Sequence, residues 1–361
     1  LIEIFTYRLP FSKPFVTGSG EFYHREGILI RYSDNTTEVI TEAAPLPGFS
    51  HESLYDVLTA AKDQKESLQK FLSEPFSLKE LKFYLKQTPN LPSLRFALSF
   101  LGLQLLSKRT KQSLFDLFEV TKPSNILVND VLPIQELDKT IRHFKKSYDK
   151  GFRTFKIKSG FPVNHLVKTL MALNQTAEHD CTFRIDANRS WPADQASGIL
   201  KKLAGFNIEY IEEPISSTNI QTVKNLIQKS AIPIALDESI QDIDHLKNLL
   251  KELPETVIII KPTILGNIFE LFETLARQRT HFNGIVVTTA LESSIGRKSV
   301  ASVASIIGAR DMAHGLNTGR FFETDLSHDS IISGGSFKIP TSGFYSTNII
   351  DLNDAFYQSA D

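Results

Sequence analysis

Thr154-Phe155-Lys156-Ile157-Lys158 opens a series of five short apolar runs that each stop on a charge, followed by Arg184-Ile185-Asp186-Ala187-Asn188, Tyr210-Ile211-Glu212-Glu213-Pro214, Ala235-Leu236-Asp237-Glu238 and Ile259-Ile260-Lys261-Pro262. Apolar runs of this length read as buried strands, and the patterns His165 to Asn174, Ala193 to Leu203, Ile220 to Gln228 and Ile268 to Arg279 read as helices lying between several of them. Strands alternating with helices signal a parallel sheet. Ile126 to Val131, Ile285 to Thr289 and Met312 to Leu316 extend the series to eight strands, which predicts a closed barrel over an open doubly wound sheet.

Residues before about 100 follow a different rhythm. Ile2 to Leu9, Gly27 to Tyr32 and Thr37 to Ala44 read as a strand meander. Ser53 to Ser73 and Pro92 to Ser107 read as helices, the second with Leu94, Ala97, Leu98, Leu101 and Leu105 at helical spacing. The expected organisation is an α+β unit over 1–110 and a barrel over 111–320.

Composition narrows the function classes. Lys plus Arg total 40 against 41 Asp plus Glu, a formal net charge of -1, which offers no electrostatic footprint for nucleic acid or an anionic membrane. Small molecules are the expected partners, and oligomeric state is not encoded in any motif. One cysteine, Cys181, excludes an intramolecular disulfide framework. No apolar stretch reaches the length of a spanning helix, and Leu1 to Pro10 lacks the charged start and long apolar run of a signal peptide, so a cytoplasmic protein is expected.

In a barrel the chemistry sits at the carboxyl ends of the strands, where these five runs place lysine, acid, acid, acid and lysine. Alternation along a strand puts Lys156 and Lys158 on one face, and likewise Asp186 and Asn188. From 186 to 212, 212 to 237 and 237 to 261 the steps are 26, 25 and 24 residues, about one strand-helix unit each. Three carboxylates converging from neighbouring strands repel one another unless a hard cation neutralises them. Oxygen donors without His or Cys point to Mg²⁺, with Mn²⁺ the alternative, held by Asp186, Glu212 and Asp237. Lys158 and Lys261 flank that site, where a nearby divalent cation is expected to lower their pKa values. A single charged strand end is ordinarily a solvated cap or an ion-pair partner; five in phase are not.

Glu213 and Glu238, of opposite parity to the adjoining ligands, read as supporting groups. Arg184, of the same parity as Asp186, reads as a structural ion-pair partner. Asn188 is either a substrate contact or a turn residue before Trp191-Pro192.

Lys156-x-Lys158, Asp186-x-Asn188, Ile211-Glu212-Glu213-Pro214, Asp237-Glu238-Ser239 and Lys261-Pro262 together resemble the motif series of the muconate-lactonizing subgroup of the enolase superfamily. Arg8-Leu9-Pro10-Phe11, Glu42-Ala43-Ala44-Pro45-Leu46-Pro47-Gly48 and Ser93-Leu94-Arg95-Phe96-Ala97 are similar to its capping domain. With Glu292-Ser293-Ser294-Ile295-Gly296 and Gly315-Leu316-Asn317-Thr318-Gly319 they resemble the o-succinylbenzoate synthase branch.

The resemblance implies a modified TIM-type (β/α)7β barrel under an α+β cap, with 321–361 returning to the cap. It also implies Mg²⁺-dependent loss of water from 2-succinyl-6-hydroxy-2,4-cyclohexadiene-1-carboxylate. In that reaction Lys158 is base and then acid, Lys261 is the opposing ammonium, and Lys156 either helps hold Lys158 at a useful pKa or contacts the substrate carboxylate. Gly18, Ser19 and Arg25, in and after a glycine-bearing loop, are implied substrate contacts from the cap. Ser293, Ser294 and the Gly315 backbone are implied partners for a second substrate carboxylate. N-acylamino-acid racemases and dipeptide epimerases share the five core residues. Dipeptide epimerases resemble one another in an Asp-x-Asp pair at strand eight, where this chain reads Asp311-Met312-Ala313-His314-Gly315. A barrel that has lost catalysis and serves as a binding protein is the remaining alternative.

Overall fold

The computed structural model describes residues 1–17, 20–133, 136–159, 163–177, 180–216, 219–277, 283–327, 332–344 and 357–360. Gly18 and Ser19 lie outside the described residues.

The amino-terminal sheet is antiparallel: β1 (Ile2–Thr17), β2 (Gly20–Ser33) and β3 (Glu38–Ala43), with Ile4 opposite Ile30 and Ile28 opposite Ala43. Helix Pro92–Thr110 lies against β3. It carries proline in its first turn and is buried almost all round, including Phe96, Phe100 and Leu103 beyond the expected stripe. The expected helix over Ser53 to Ser73 is two, Leu54–Asp63 and Lys65–Ser73, and a third, Leu78–Gln87, follows. Ser53 with Asp56, and Ser77 with Glu80, form reciprocal caps that satisfy the first free N–H groups.

The barrel strands follow. Where one strand is expected from Ile126 there are two: β4 (Asn125–Leu127) leaves the barrel, and β5 (Asp130–Pro133) begins it. Then come β6 (Thr154–Lys158), β7 (Thr182–Asp186), β8 (Ile208–Glu212), β9 (Ile234–Leu236), β10 (Val257–Ile260) and β11 (Gly284–Val287), forming with β5 one curled sheet of seven parallel strands. The expected eighth strand is reduced to single parallel bridges, Val128 to His314 and Thr288 to Gly315, which join the two edges of that sheet. Glycine is required at 315, because a Cβ there would run into the Thr288 side chain.

After the barrel, β12 (Ile332–Ser333) and β13 (Ser336–Lys338) form a hairpin on β4, and β14 (Tyr357–Ser359) pairs with β1. No helix among the described residues is long and apolar enough to cross a membrane.

Two polar clusters hold the seam where the sheet closes. Asp130, 1 % exposed, meets Arg320 at 2.7 Å and Asn317 at 2.9 Å, tying β5 to the chain beyond Gly315. His314 is equally enclosed. Its Nδ1 accepts from the Val287 N–H at 3.0 Å, and its Nε2 faces the Ala309 carbonyl at 3.2 Å. Burial, with Arg184 nearby, pushes the imidazole pKa down to about 3. Between the ordinary histidine value and 3 the unfolded chain binds a proton that the native chain refuses, so stability falls with acidification across that window. The slope from this group is about 1.4 kcal/mol per pH unit. Unfolding free energies measured from pH 7 to 4 should carry that slope, and His314→Gln should flatten it while lowering stability overall; an unchanged slope contradicts the assignment.

Candidate active site at the barrel mouth

Parallel pairing brings the five charged strand ends to one rim: Lys158 is level with Asp186, and Asp186 with Glu212. The Lys156 ammonium reaches Glu212 at 2.7 Å and Asp186 at 3.1 Å, and the Lys261 ammonium reaches Asp237 at 2.6 Å. The Lys158 side chain is more exposed and has no hydrogen-bond or ion-pair partner among the described residues.

Electrostatics show how closely these groups sit. Burial pushes Asp186 toward its neutral form, but Lys156, Lys158 and Lys261 together hold its carboxyl below the ordinary value. Burial raises Glu212 well above the carboxylate range. Lys156 opposes this, while Asp186 and Asp237 add to it. Lys156 and Lys261 both lose solvation, yet neighbouring carboxylates hold them above the ordinary lysine value. At Lys261 it is Asp237 that supplies both the opposing negative charge and a hydrogen bond.

Supporting groups converge on the same rim. Glu213, in a left-handed backbone conformation at φ 40°, turns its carboxylate beneath the next strand end. It accepts from the N–H groups of Asp237 at 3.0 Å and Ser239 at 2.8 Å, and from Arg189 at 3.2 Å. It thereby fixes the backbone that carries Asp237. Glu238 accepts from the Asn188 side chain at 3.0 Å; burial and then Asp237 push its carboxyl up to about 7. Asn188, at φ 46°, turns the chain, and its side-chain amide donates to Glu238 across the rim.

Arg184 lies one layer deeper. It pairs with Glu209 at 2.5 Å and Asn129 at 3.1 Å, over the Tyr210 ring, and not with the rim acids.

Four of the expected substrate contacts are committed elsewhere. Ser293 caps helix Ser294–Ile307, and its N–H and hydroxyl both donate to Glu42. Ser294 donates its N–H to Asp325, and its hydroxyl accepts from the Ser327 N–H. The Gly315 N–H and carbonyl are spent on the closing ladder, with Val287 and Thr289. Arg25, 2 % exposed, donates to the carbonyls of Ala44, Pro45, Glu26 and Leu291, clasping cap to barrel. Side chains that run between segments hundreds of residues apart leave no local signal in a sequence.

Sequence reading missed Phe49, whose ring lies 5.4 Å from the Lys261 nitrogen, and Glu42, whose buried carboxylate accepts from Tyr7 at 2.7 Å and Gly296 at 2.9 Å. For Glu42 the serine before an apolar helical run at 293 is a readable cap signal, but not its partner.

The donor chemistry fits a hard cation: three acids, oxygen atoms only, with one oxygen of Glu212 and one of Glu238 buried and without a hydrogen-bond partner. Among the described residues no three carboxylates form a ready-made cage, and a lysine ammonium sits on one oxygen of each of Asp186, Glu212 and Asp237. Accommodating an ion requires those lysines to withdraw.

A closed parallel barrel with acids and lysines interleaved at its carboxyl rim, under an α+β cap, defines a recognisable class. Residues 139–343 match the family described as enolase C-terminal domain-like, and residues 1–105 match the MenC N-terminal domain. The chain belongs to the enolase superfamily, one of enzymes that generally use Mg²⁺. It is 26% identical over 334 residues to the o-succinylbenzoate synthase of Vibrio cholerae, covering 90% of each chain. It is 23% identical over 317 residues to the N-succinyl-L-Arg/Lys racemase of Bacillus cereus, covering 85% and 82%. In fold it superposes on muconate lactonizing enzyme from Pseudomonas fluorescens with a TM-score of 0.81 at 20% identity, covering 96% and 95%.

Arg25→Met strands buried carbonyls at the cap-barrel junction. It should cost about 3 kcal/mol, read as a fall in urea midpoint; an unchanged midpoint contradicts the clasp.

Proposed function

We propose that the chain is an o-succinylbenzoate synthase, a hydro-lyase that removes water from 2-succinyl-6-hydroxy-2,4-cyclohexadiene-1-carboxylate. The observation that carries this reading over its siblings is the MenC-type cap over residues 1–105. The rim supplies what the chemistry asks for.

Asp186, Glu212 and Asp237 would hold Mg²⁺, or Mn²⁺ in its place. When bound, the ion supplies positive charge to the substrate carboxylate as the neighbouring proton leaves. Lys158, without a carboxylate partner, takes that proton as the base. The enediolate then expels the ring hydroxyl. Lys158 returns its proton to that oxygen on the same face, so that water departs and the ring becomes aromatic. Lys261 stabilises the enediolate from the other side as an ammonium. Lys156, on Asp186 and Glu212, balances the acids.

A second reading, N-acylamino-acid racemase, is favoured by the racemase relative and by lysines on both flanks. It asks Lys261 to exchange protons, whereas the synthase asks it only to stay charged. Incubation with the cyclohexadiene carboxylate, N-succinylamino acids and dipeptides in deuterated water separates the readings. Aromatisation is the expected result; α-proton exchange with racemisation and no aromatisation sinks the synthase.

Lys158→Arg keeps the charge but not a usable base, and should abolish dehydration. Lys261→Arg should retain part of it, while Lys261→Ala should lose roughly 10²-fold. Normal turnover by folded Lys158→Arg would overturn the base assignment. EDTA should stop turnover and Mg²⁺ or Mn²⁺ restore it. Glu213→Gln, which loosens the backbone carrying Asp237, should weaken metal binding about 10- to 100-fold by calorimetry; unaltered affinity would show that Glu213 does not position the ligand.

A further inference from the structure

The Lys261 ammonium is held from two sides. One is the Asp237 carboxylate at 2.6 Å; the other is the ring of Phe49, 5.4 Å away, delivered from the cap. We propose that Phe49 is a positioning residue for the dehydration, pinning the Lys261 ammonium at the barrel rim through the face of its ring. This rests on the reading of Lys261 as the stabilising cation.

The loop that carries Phe49 is built to hold one pose. Gly48, at φ 80°, makes a turn that favours glycine. The Phe49 and Ser50 N–H groups both donate to the Leu46 carbonyl, and the Ser50 hydroxyl accepts from the Leu46 N–H at 2.8 Å. At the root of the loop Arg25 binds the carbonyls of Ala44 and Pro45 and, with the same guanidinium, the Leu291 carbonyl of the barrel. The ring itself packs against a cluster that spans cap and barrel and includes Leu46, Ile264 and Leu291. Ile264 is in turn bonded through its N–H to the Lys261 carbonyl at 3.0 Å. Ring and ammonium are thus anchored to the same packed unit.

The physical consequence is directional. An aromatic face attracts a cation without accepting its proton and without competing for the hydrogen bonds it makes elsewhere. If Asp237 is drawn onto a metal ion, the ring remains as a partner that holds the ammonium at the rim. Developing negative charge on the substrate then meets a cation that the ring keeps at the rim after it has left Asp237.

Two readouts test this. Phe49→Leu keeps apolar bulk and removes the ring; it should lower kcat for dehydration about tenfold with KM changed less than about twofold, and Phe49→Tyr should restore kcat. Wild-type kcat in Phe49→Leu, or no rescue by tyrosine in a folded variant, overturns the proposal. The second readout needs no substrate. In protein labelled with ¹³C at lysine Cε, the Lys261 signal, assigned by its loss in Lys261→Arg, should lie upfield through the ring current of Phe49. It should keep that position in Phe49→Tyr and lose it in Phe49→Leu; a position indifferent to the ring overturns the pinning. Should the wild type fail to dehydrate the cyclohexadiene carboxylate, the functional reading falls while the lysine signal still judges Phe49.

Discussion

Three carboxylates that lean on one another out of water are the constraint around which the barrel mouth is organised. Asp186 and Glu212 are almost completely enclosed, and Asp237 adds to the strain on Glu212. Such groups stay charged only beside matching cations. Lys156 meets two of them and Lys261 the third. Lys158 acts on Asp186 only from a distance, and the lysine without an ion-pair contact is the one the proposed chemistry uses as a base. Charge balance and division of labour among the lysines are thus one arrangement.

That arrangement depends on a barrel whose last strand is almost absent. Among the described residues His314 and Gly315 bridge the sheet edges, with Asp130, Asn317 and Arg320 cross-linking the chain beside them. The cap is tied to the same end by a buried base and a buried acid: Arg25 on the Leu291 carbonyl and Glu42 on the start of helix Ser294–Ile307. Leu291, at φ 61°, holds a backbone conformation that leucine disfavours, and the Arg25 hydrogen bond is one of the contacts that keeps it there. Cap loop and barrel rim are therefore cross-linked at one end of the barrel, where a cap side chain such as Phe49 meets a barrel lysine.

Much of this was legible in the residues. β6, β7 and β8 are read to the residue, because a parallel strand buried on both faces is a bare apolar run with a sharp polar end. The acids and lysines at those ends follow directly. What escaped is what depends on partners distant in sequence. The first barrel strand divides because β13 captures Asn125–Leu127. Helix Leu78–Gln87 is announced by Ser77 and Glu80, a cap signal that the apolar pattern alone does not carry. Arg25, Ser293 and Ser294 look like exposed polar groups at a barrel mouth, yet each is buried against carbonyls, acids or a helix end brought in from elsewhere.

The central claim is that the lysines on these acids give way to a divalent cation. Crystals soaked in Mn²⁺ and measured for anomalous scattering test it most directly. The account predicts a peak bounded by Asp186, Glu212 and Asp237, with the Lys156 and Lys261 ammoniums withdrawn from it. Saturating Mn²⁺ with no peak among those three carboxylates, and both lysines still seated on them, would contradict it.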